Sequence, residues 1–110
     1  MTKMYIAVLD EFPDYMVPAL VGHAVLGHHS YAQSYMPYEE FVKYDKWRVD
    51  SFKKCVVRVN QKEFGKISQL PSVTLHHESN TLDGKKACAV IVVGEEIPNV
   101  LKFAKLWKPK

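Results

Sequence analysis

The amino-acid sequence predicts an α/β fold: a mixed sheet of about four strands between two layers of helices, a three-layer α/β/α sandwich. Two apolar runs, residues 4–9 and 87–93, have the unbroken hydrophobic character of strands that are buried on both faces. The earlier strand-like runs alternate with helical stretches, as parallel strands joined by right-handed crossovers do. The last two strand-like runs flank an Asp83-Gly84 turn signal, which predicts an antiparallel hairpin.

Length, charge and cysteine content are those of one ordinary globular domain. A chain of 110 residues, 47% hydrophobic and 25% charged, buries a core without a disulfide or a metal. Cys55 and Cys88 lie in apolar runs and form no C-x-x-C pair, so we expect reduced structural thiols. We recognise no signal peptide and no apolar run near the roughly 20 residues of a membrane span. We therefore expect a single soluble domain, residues 1–110, in the cytoplasm.

The first half of the chain is predicted to hold one strand and two helices. A long helix over residues 17–33 is apolar almost all round, so we expect it to be heavily buried, with Gly22 and Gly27 marking close packing on the sheet. The alternative for Gly27 is that it ends the helix before His28. A shorter amphipathic helix follows Pro37. Its aromatic residues are expected to pack over the sheet, and the alternative is a stacking platform for nucleobases. These residues are Phe41, Tyr44 and Trp47.

The second half is predicted to hold the remaining strands and two helices. They are a strand over residues 55–60, a helix over 61–70, strands over 73–78 and 87–93, and a final helix after Pro98 with Val100, Leu101, Ala104 and Trp107 on one face.

Residues 10–30 are the predicted wall of a functional pocket, because ligands of open α/β sheets usually bind beyond the carboxyl ends of strands. His23 is the first candidate for a general base or binding donor, since the imidazole pKa lies near neutrality. The alternative is a buried histidine that is hydrogen-bonded to the backbone. Asp10 is placed to orient His23, and Asp14 to line the pocket or to cap the helix.

The histidines lack the spacing of a metal site. His23 and His28 are five residues apart, which does not place both on one helical face. His76 and His77 are adjacent in a predicted strand, so they point to opposite faces of the sheet. We therefore predict no metal and no cofactor.

Four stretches spread along the chain carry short motifs of one known family. They are YIAVLD at 5–10 with the acidic loop behind it, GHAVLG at 22–27, KCVV at 54–57, and AVIVVG at 89–94 after the Leu70-Pro71 pair. Together they resemble the type II peptidyl-tRNA hydrolase family. The resemblance covers nearly the whole chain and implies that family's fold.

The predicted catalytic set is His23, Asp10 and Glu78, and of these three residues the resemblance supports His23 alone. His23 matches the histidine of the family's S-H-A-A stretch, and Glu78 or His77 stands where the family has the aspartate of R-D-A-G. The chain departs from the family where Met16 replaces a lysine. Without that lysine, a water molecule attacking an ester loses its positively charged partner.

Two classes of function stay open after this comparison. The first is a divergent relative without the usual catalytic set, which binds a small molecule or a protein partner as a regulator. The alternative is a hydrolase or binder of a tRNA-linked ester, so whether the protein is an enzyme is left open. The tRNA or other RNA would meet a basic surface, and an exposed sheet edge suits a homodimer. Under these two hypotheses, the residues predicted to bind the ligand or the RNA are Asp14, Met16, Gly22, His77, Lys53, Lys54 and Arg58.

Overall fold

The computed structural model describes residues 2–78 and 85–109, and for residues 77, 78, 85 and 86 it describes the backbone alone. Within these ranges the chain forms five strands and four α-helices. In chain order they are β1 (Lys3–Leu9), α1 (Val17–Ser34), α2 (Tyr38–Lys46), β2 (Lys54–Val59), α3 (Gln61–Ser68), β3 (Thr74–Glu78), β4 (Lys85–Val93), α4 (Asn99–Lys102) and β5 (Lys105–Leu106).

The strands form one mixed, open sheet in the order β3-β4-β1-β2-β5. β1 and β2 are parallel, and the crossover between them contains α1 and α2. The other three pairings are antiparallel, so β3 and β1 run in the same direction on either side of β4. The predicted α/β class and the antiparallel pairing of β3 with β4 are confirmed. The predicted Asp83-Gly84 turn lies outside the described residues.

The central strands are covered on both faces. Residues 4–9 of β1 and 87–93 of β4 are all buried, and consecutive strand residues point to opposite faces. α1 covers one face, where the thiol of Cys88 lies 3.8 Å from the carbonyl oxygen of Leu20. α3 packs along β1, β2 and β4, and it buries Phe64 and Ile67.

The expectation that α1 is buried almost all round is wrong. Its buried residues recur every three or four positions and form one stripe toward the sheet. Those residues are Val17, Leu20, Ala24, His28 and Ala32. The opposite side faces outward, and Leu26 is 68% exposed there. An apolar side chain on this face is tolerated because much of any protein surface is apolar.

α2 carries the predicted aromatic residues and continues into one π-helical turn, Trp47–Ser51. Tyr44 and Trp47 are buried, and the indole Nε1 of Trp47 donates a hydrogen bond to the carbonyl oxygen of Lys53 at 2.6 Å. These two rings therefore pack in the core, as predicted, and are not a stacking platform for bases. Phe52 ends the turn in the left-handed conformation, with φ 59°.

The C-terminal part differs from its prediction. α4 ends at Lys102, and the chain then forms β5, which pairs with β2. The backbone N–H of Trp107 continues this pairing by donating to the carbonyl oxygen of Val56 at 2.9 Å. The fifth strand is only two residues long, which is too short for an apolar run or an alternating pattern to predict it from the sequence.

Candidate functional site

The predicted catalytic residues are not joined to one another in the described structure. Asp10 is exposed directly after β1, and Glu78 is the last residue of β3. Since β1 and β3 run in the same direction, both residues lie at one edge of the sheet, but the side chains of Glu78 and His77 lie outside the described part. His23 is exposed on the outer side of α1, and within residues 2–78 and 85–109 no hydrogen bond or ion pair links it to Asp10. Their catalytic role stays a prediction.

The other residues expected near this edge have structural neighbours of their own. Asp14 does not cap α1, which begins after Met16 without a side-chain cap. Its carboxylate instead pairs with Arg58 at 3.2 Å. Met16 is half-buried and packs against the core. Gly22 is exposed, with nothing within 4 Å of an added Cβ, so the expected close packing is wrong at this position.

The predicted basic residues do not form one surface. Lys53 and Lys54 lie where β2 begins, and the ammonium of Lys54 sits 3.4 Å from the ring centroid of Phe52. Arg58 lies near the other end of the strand, where it pairs with Asp14 and donates to the carbonyl oxygen of Lys108 at 2.6 Å. Arg58 is therefore already paired and is not free to bind a phosphate group of a nucleic acid that lies along β2.

The structure instead gathers polar side chains around His28, in the last part of α1. His28 is 1% exposed, and its Nδ1 atom lies 2.7 Å from Oγ1 of Thr74. That hydroxyl also lies 2.7 Å from Nε2 of His76, so Thr74 bridges two imidazoles. Burial, followed by the neighbouring His76 and His29, lowers the pKa of His28 to about 4. His28 is therefore a neutral ring at physiological pH.

Gly27 makes room for this arrangement. A Cβ atom at residue 27 would lie 2.7 Å from Nδ1 and 2.9 Å from Cε1 of His76. The prediction of close packing on the sheet is confirmed at this glycine. The imidazole of His76 can approach α1 only because the helix has no side chain at that point.

A second hydrogen bond ties α2 to the same part of α1. Nδ1 of His29 lies 2.7 Å from the phenolic oxygen of Tyr44. The rings of Tyr44 and His28 have centroids 5.3 Å apart, at an angle of 58°. Burial raises the pKa of the Tyr44 phenol. Tyr44 therefore presents a neutral, immobilised ring.

A small cavity opens beside these groups, between α1, α2, β4 and the turn before β3. We call it the His28 pocket; its walls are His28, Met36, Glu40, Lys43, Tyr44, Ser72 and Val92. It has about 20 Å³ of room for the centre of a water-sized group, slightly more than one such group requires. Ser72 holds the left-handed conformation there, with φ 70°, at a cost of about 1–2 kcal/mol for a residue with a Cβ.

Glu40 supplies the unusual feature of the pocket. Its Oε2 atom is buried and accepts no hydrogen bond from any group in the described part of the chain. Lys43, one turn further along α2, also lines the pocket but remains exposed to solvent. The pocket thus combines an unpaired carboxylate oxygen, two neutral rings and a cation at the opening.

This arrangement suits binding better than nucleophilic chemistry. Among the described side chains, no group of three or more histidines, cysteines or carboxylates is placed to hold a metal ion. The Cys88 thiol on the same face of the sheet is fully buried, which raises its pKa to about 12 and makes it a poor nucleophile. An unpaired acceptor in a rigid cavity instead recognises a hydrogen-bond donor.

Part of this pocket left a signal in the sequence. His28 continues the buried stripe four residues after Ala24, and Glu40, Lys43 and Tyr44 share the i, i+3, i+4 spacing of one helical face. Sequence reasoning missed it because His23 was chosen for its motif. The partner of His28, Thr74, is 46 residues away and carries no local signal.

Comparison with known proteins does not assign the chain to a family, because no protein-family model and no curated protein matches it. In residues 2–78 and 85–109, no helix is both long enough and apolar enough to cross a bilayer. The fold and the site define an α/β protein with a small pocket between its first two helices and its sheet.

Proposed function

We propose that this protein is a binding protein, a divergent peptidyl-tRNA hydrolase-like chain that takes a small polar molecule into the His28 pocket and acts as a regulator. The observation that carries the proposal is the buried, unpaired Oε2 of Glu40. The motifs at 22–27 and 89–94 support the family fold. Two unpaired thiols, Cys55 and Cys88, suit a reducing compartment such as the cytoplasm.

The energetics of Glu40 favour a ligand. A buried acceptor without a partner costs about 1–3 kcal/mol, and more when it is charged. A donor that enters the pocket removes this cost on binding. The hydrogen bonds of His28 to Thr74 and of His29 to Tyr44 already fix the walls, so little conformational entropy is lost when the ligand enters.

The same groups are poorly suited to acid–base catalysis. A general base works best with a pKa near the working pH, and burial holds the pKa of His28 at about 4. Burial moves the pKa of Tyr44 upward, away from neutrality. Catalysis would therefore have to use other residues than the pocket walls.

The test is a thermal-shift and NMR screen of small polar metabolites on the full chain. We expect binders to raise the melting temperature and to shift amide signals of the second half of α1, of α2 and of Ser72. Glu40→Gln should weaken this binding, whereas Glu39→Gln, a change at the exposed neighbour, should leave it unaltered. Binders that shift only signals outside the pocket, or a screen without binders, would contradict the proposal.

A further inference from the structure

We propose that the group held in the His28 pocket is a primary ammonium group whose N–H donors reach Oε2 of Glu40; this inference rests on the proposed function. Three properties of the pocket support it: its size, its charge and the hydrogen-bond direction of His28.

The size of the pocket limits the bound group. About 20 Å³ is open to the centre of a water-sized group, so the pocket admits a small head group and not a bulky one. An ammonium head group has this size. The rest of a ligand would extend through the opening, where Lys43 is exposed.

The charge of the pocket favours a cation. Glu40 contributes an anionic oxygen without a hydrogen-bond partner among the described residues. The inner rings of His28 and Tyr44 are neutral, so they do not balance that charge, and aromatic faces attract cations. A neutral hydroxyl would supply one donor and leave the carboxylate uncompensated.

His28 can provide the second acceptor. Its hydrogen bond within the described structure uses Nδ1, toward Thr74. If His28 donates through Nδ1, Thr74 donates onward to His76 at 2.7 Å rather than to the Val90 carbonyl oxygen at 3.5 Å. Nε2 of His28 then carries a lone pair. Ammonium binding therefore requires the Nδ1-protonated tautomer of His28.

Lys43 provides a way to distinguish two kinds of ligand that carry an ammonium group. A simple alkylamine offers nothing to the exposed lysine at the opening, whereas an amino acid places its carboxylate beside that cation. The two share the inner head group and differ only outside the pocket.

The experiment is an NMR titration of the full chain at pH 7.5 with ethylammonium chloride and with glycine, using ethanol and sodium acetate as controls of similar size. We expect the two ammonium compounds, and neither control, to shift the amide signals around the pocket. Glu40→Gln should weaken their binding about tenfold or more, and Glu39→Gln should not. Glycine binding more tightly than ethylammonium, with the difference lost in Lys43→Met, would identify the amino-acid source.

Several outcomes would overturn the inference. The first is that ethanol binds with the same affinity as ethylammonium. The second is that Glu40→Gln keeps full affinity while its spectrum shows a folded chain. The third is that ¹⁵N spectra show the Nε2-protonated tautomer of His28 with the amine bound. If other metabolites bind in the pocket while amines do not, the ammonium assignment fails and the proposed binding function stands. If nothing binds there, both fail.

Discussion

The Nδ1 atom of His28 lies 2.7 Å from the Oγ1 atom of Thr74, and this hydrogen bond joins α1 to the edge strand β3 across 46 residues. His28 is the buried polar side chain of the described core, so its position depends on that partner. The same hydroxyl of Thr74 also contacts His76, so one side chain holds two imidazole rings in place.

Thr74→Val should destabilise the protein although the side chain keeps its shape. The substitution removes the hydroxyl that contacts Nδ1 of His28 and Nε2 of His76, and leaving the buried ring of His28 without that partner costs about 1–3 kcal/mol. Chemical denaturation measures the loss in the free energy of unfolding. Thr74→Ser, which keeps the hydroxyl, should retain most of the stability. Equal losses in the two variants would show that the bridge contributes nothing.

Gly27→Ala and Gly22→Ala should have opposite effects although both glycines lie in α1. An alanine at residue 22 meets open space, so the helix should gain up to about 1 kcal/mol of stability. At residue 27 the new Cβ would lie 2.7 Å from the His76 ring, which must move and lose its bond to Thr74. Overpacking and the lost bond outweigh the helical gain, so we expect a net loss of about 1 kcal/mol. Melting temperatures of the two variants measure the contrast, and a stabilised Gly27→Ala would contradict it.

His28 should make stability depend on pH in a defined window. Burial lowers the pKa of the folded state from 6.5 to about 4, so above pH 6.5 the ring is neutral in both states and the full stability is present. As the pH falls from 6.5 toward 4, the unfolded chain takes up a proton that the folded chain does not. The free energy of unfolding therefore decreases, by about 3 kcal/mol over the whole window.

Denaturation curves at several pH values check this window. Because carboxylates titrate in part of the same range, the comparison is between the wild type and His28→Asn, whose amide can still donate to Thr74. The variant should lose less stability on acidification than the wild type does. Parallel pH dependences would mean that His28 is protonated as easily in the folded chain as in the unfolded one.

Sequence patterns predict the central strands because a buried strand is a local feature, and β1 and β4 follow from their unbroken apolar runs. Asn60, predicted as the end of a strand, instead caps α3: its side chain accepts from the N–H of Glu63 while the Glu63 carboxylate accepts from the N–H of Asn60. β5 was missed because it exists only through pairing with β2.

The site was harder to predict because the rotation of α1 about its axis is set by packing. Ala19 and Leu26 on its outer side are as apolar as Leu20 and Ala24 on its inner side, so hydrophobicity alone does not fix which side is buried. A prediction centred on His23 therefore pointed outward. The Gly27–His76 contact, which selects the inner side, joins distant segments and is invisible to local patterns.

The two cysteines should react very differently with a thiol reagent. Cys88 is fully buried, and burial raises its pKa to about 12, so the folded chain should protect it almost completely. Cys55 is partly exposed at the start of β2 and should react without unfolding. Cys55→Ser should abolish the reaction of the native protein, and Cys88→Ala should leave it unchanged. As a control, both thiols should react with the reagent once the chain is unfolded in denaturant. Rapid labelling of Cys88 in the native protein would contradict its burial.

The purified chain should not hydrolyse peptidyl-tRNA. Met16 stands where the family that the sequence resembles has a lysine, and His23 is exposed without a hydrogen bond to Asp10 in the described structure, so an attacking water lacks both a cationic partner and an oriented base. A turnover assay on a peptidyl-tRNA measures this, with His23→Ala as the matched variant. Turnover in the wild type that disappears in His23→Ala would restore the hydrolase reading and place the functional site at the carboxyl end of β1. Background hydrolysis that is equal in the two proteins would leave the His28 pocket as the site to pursue.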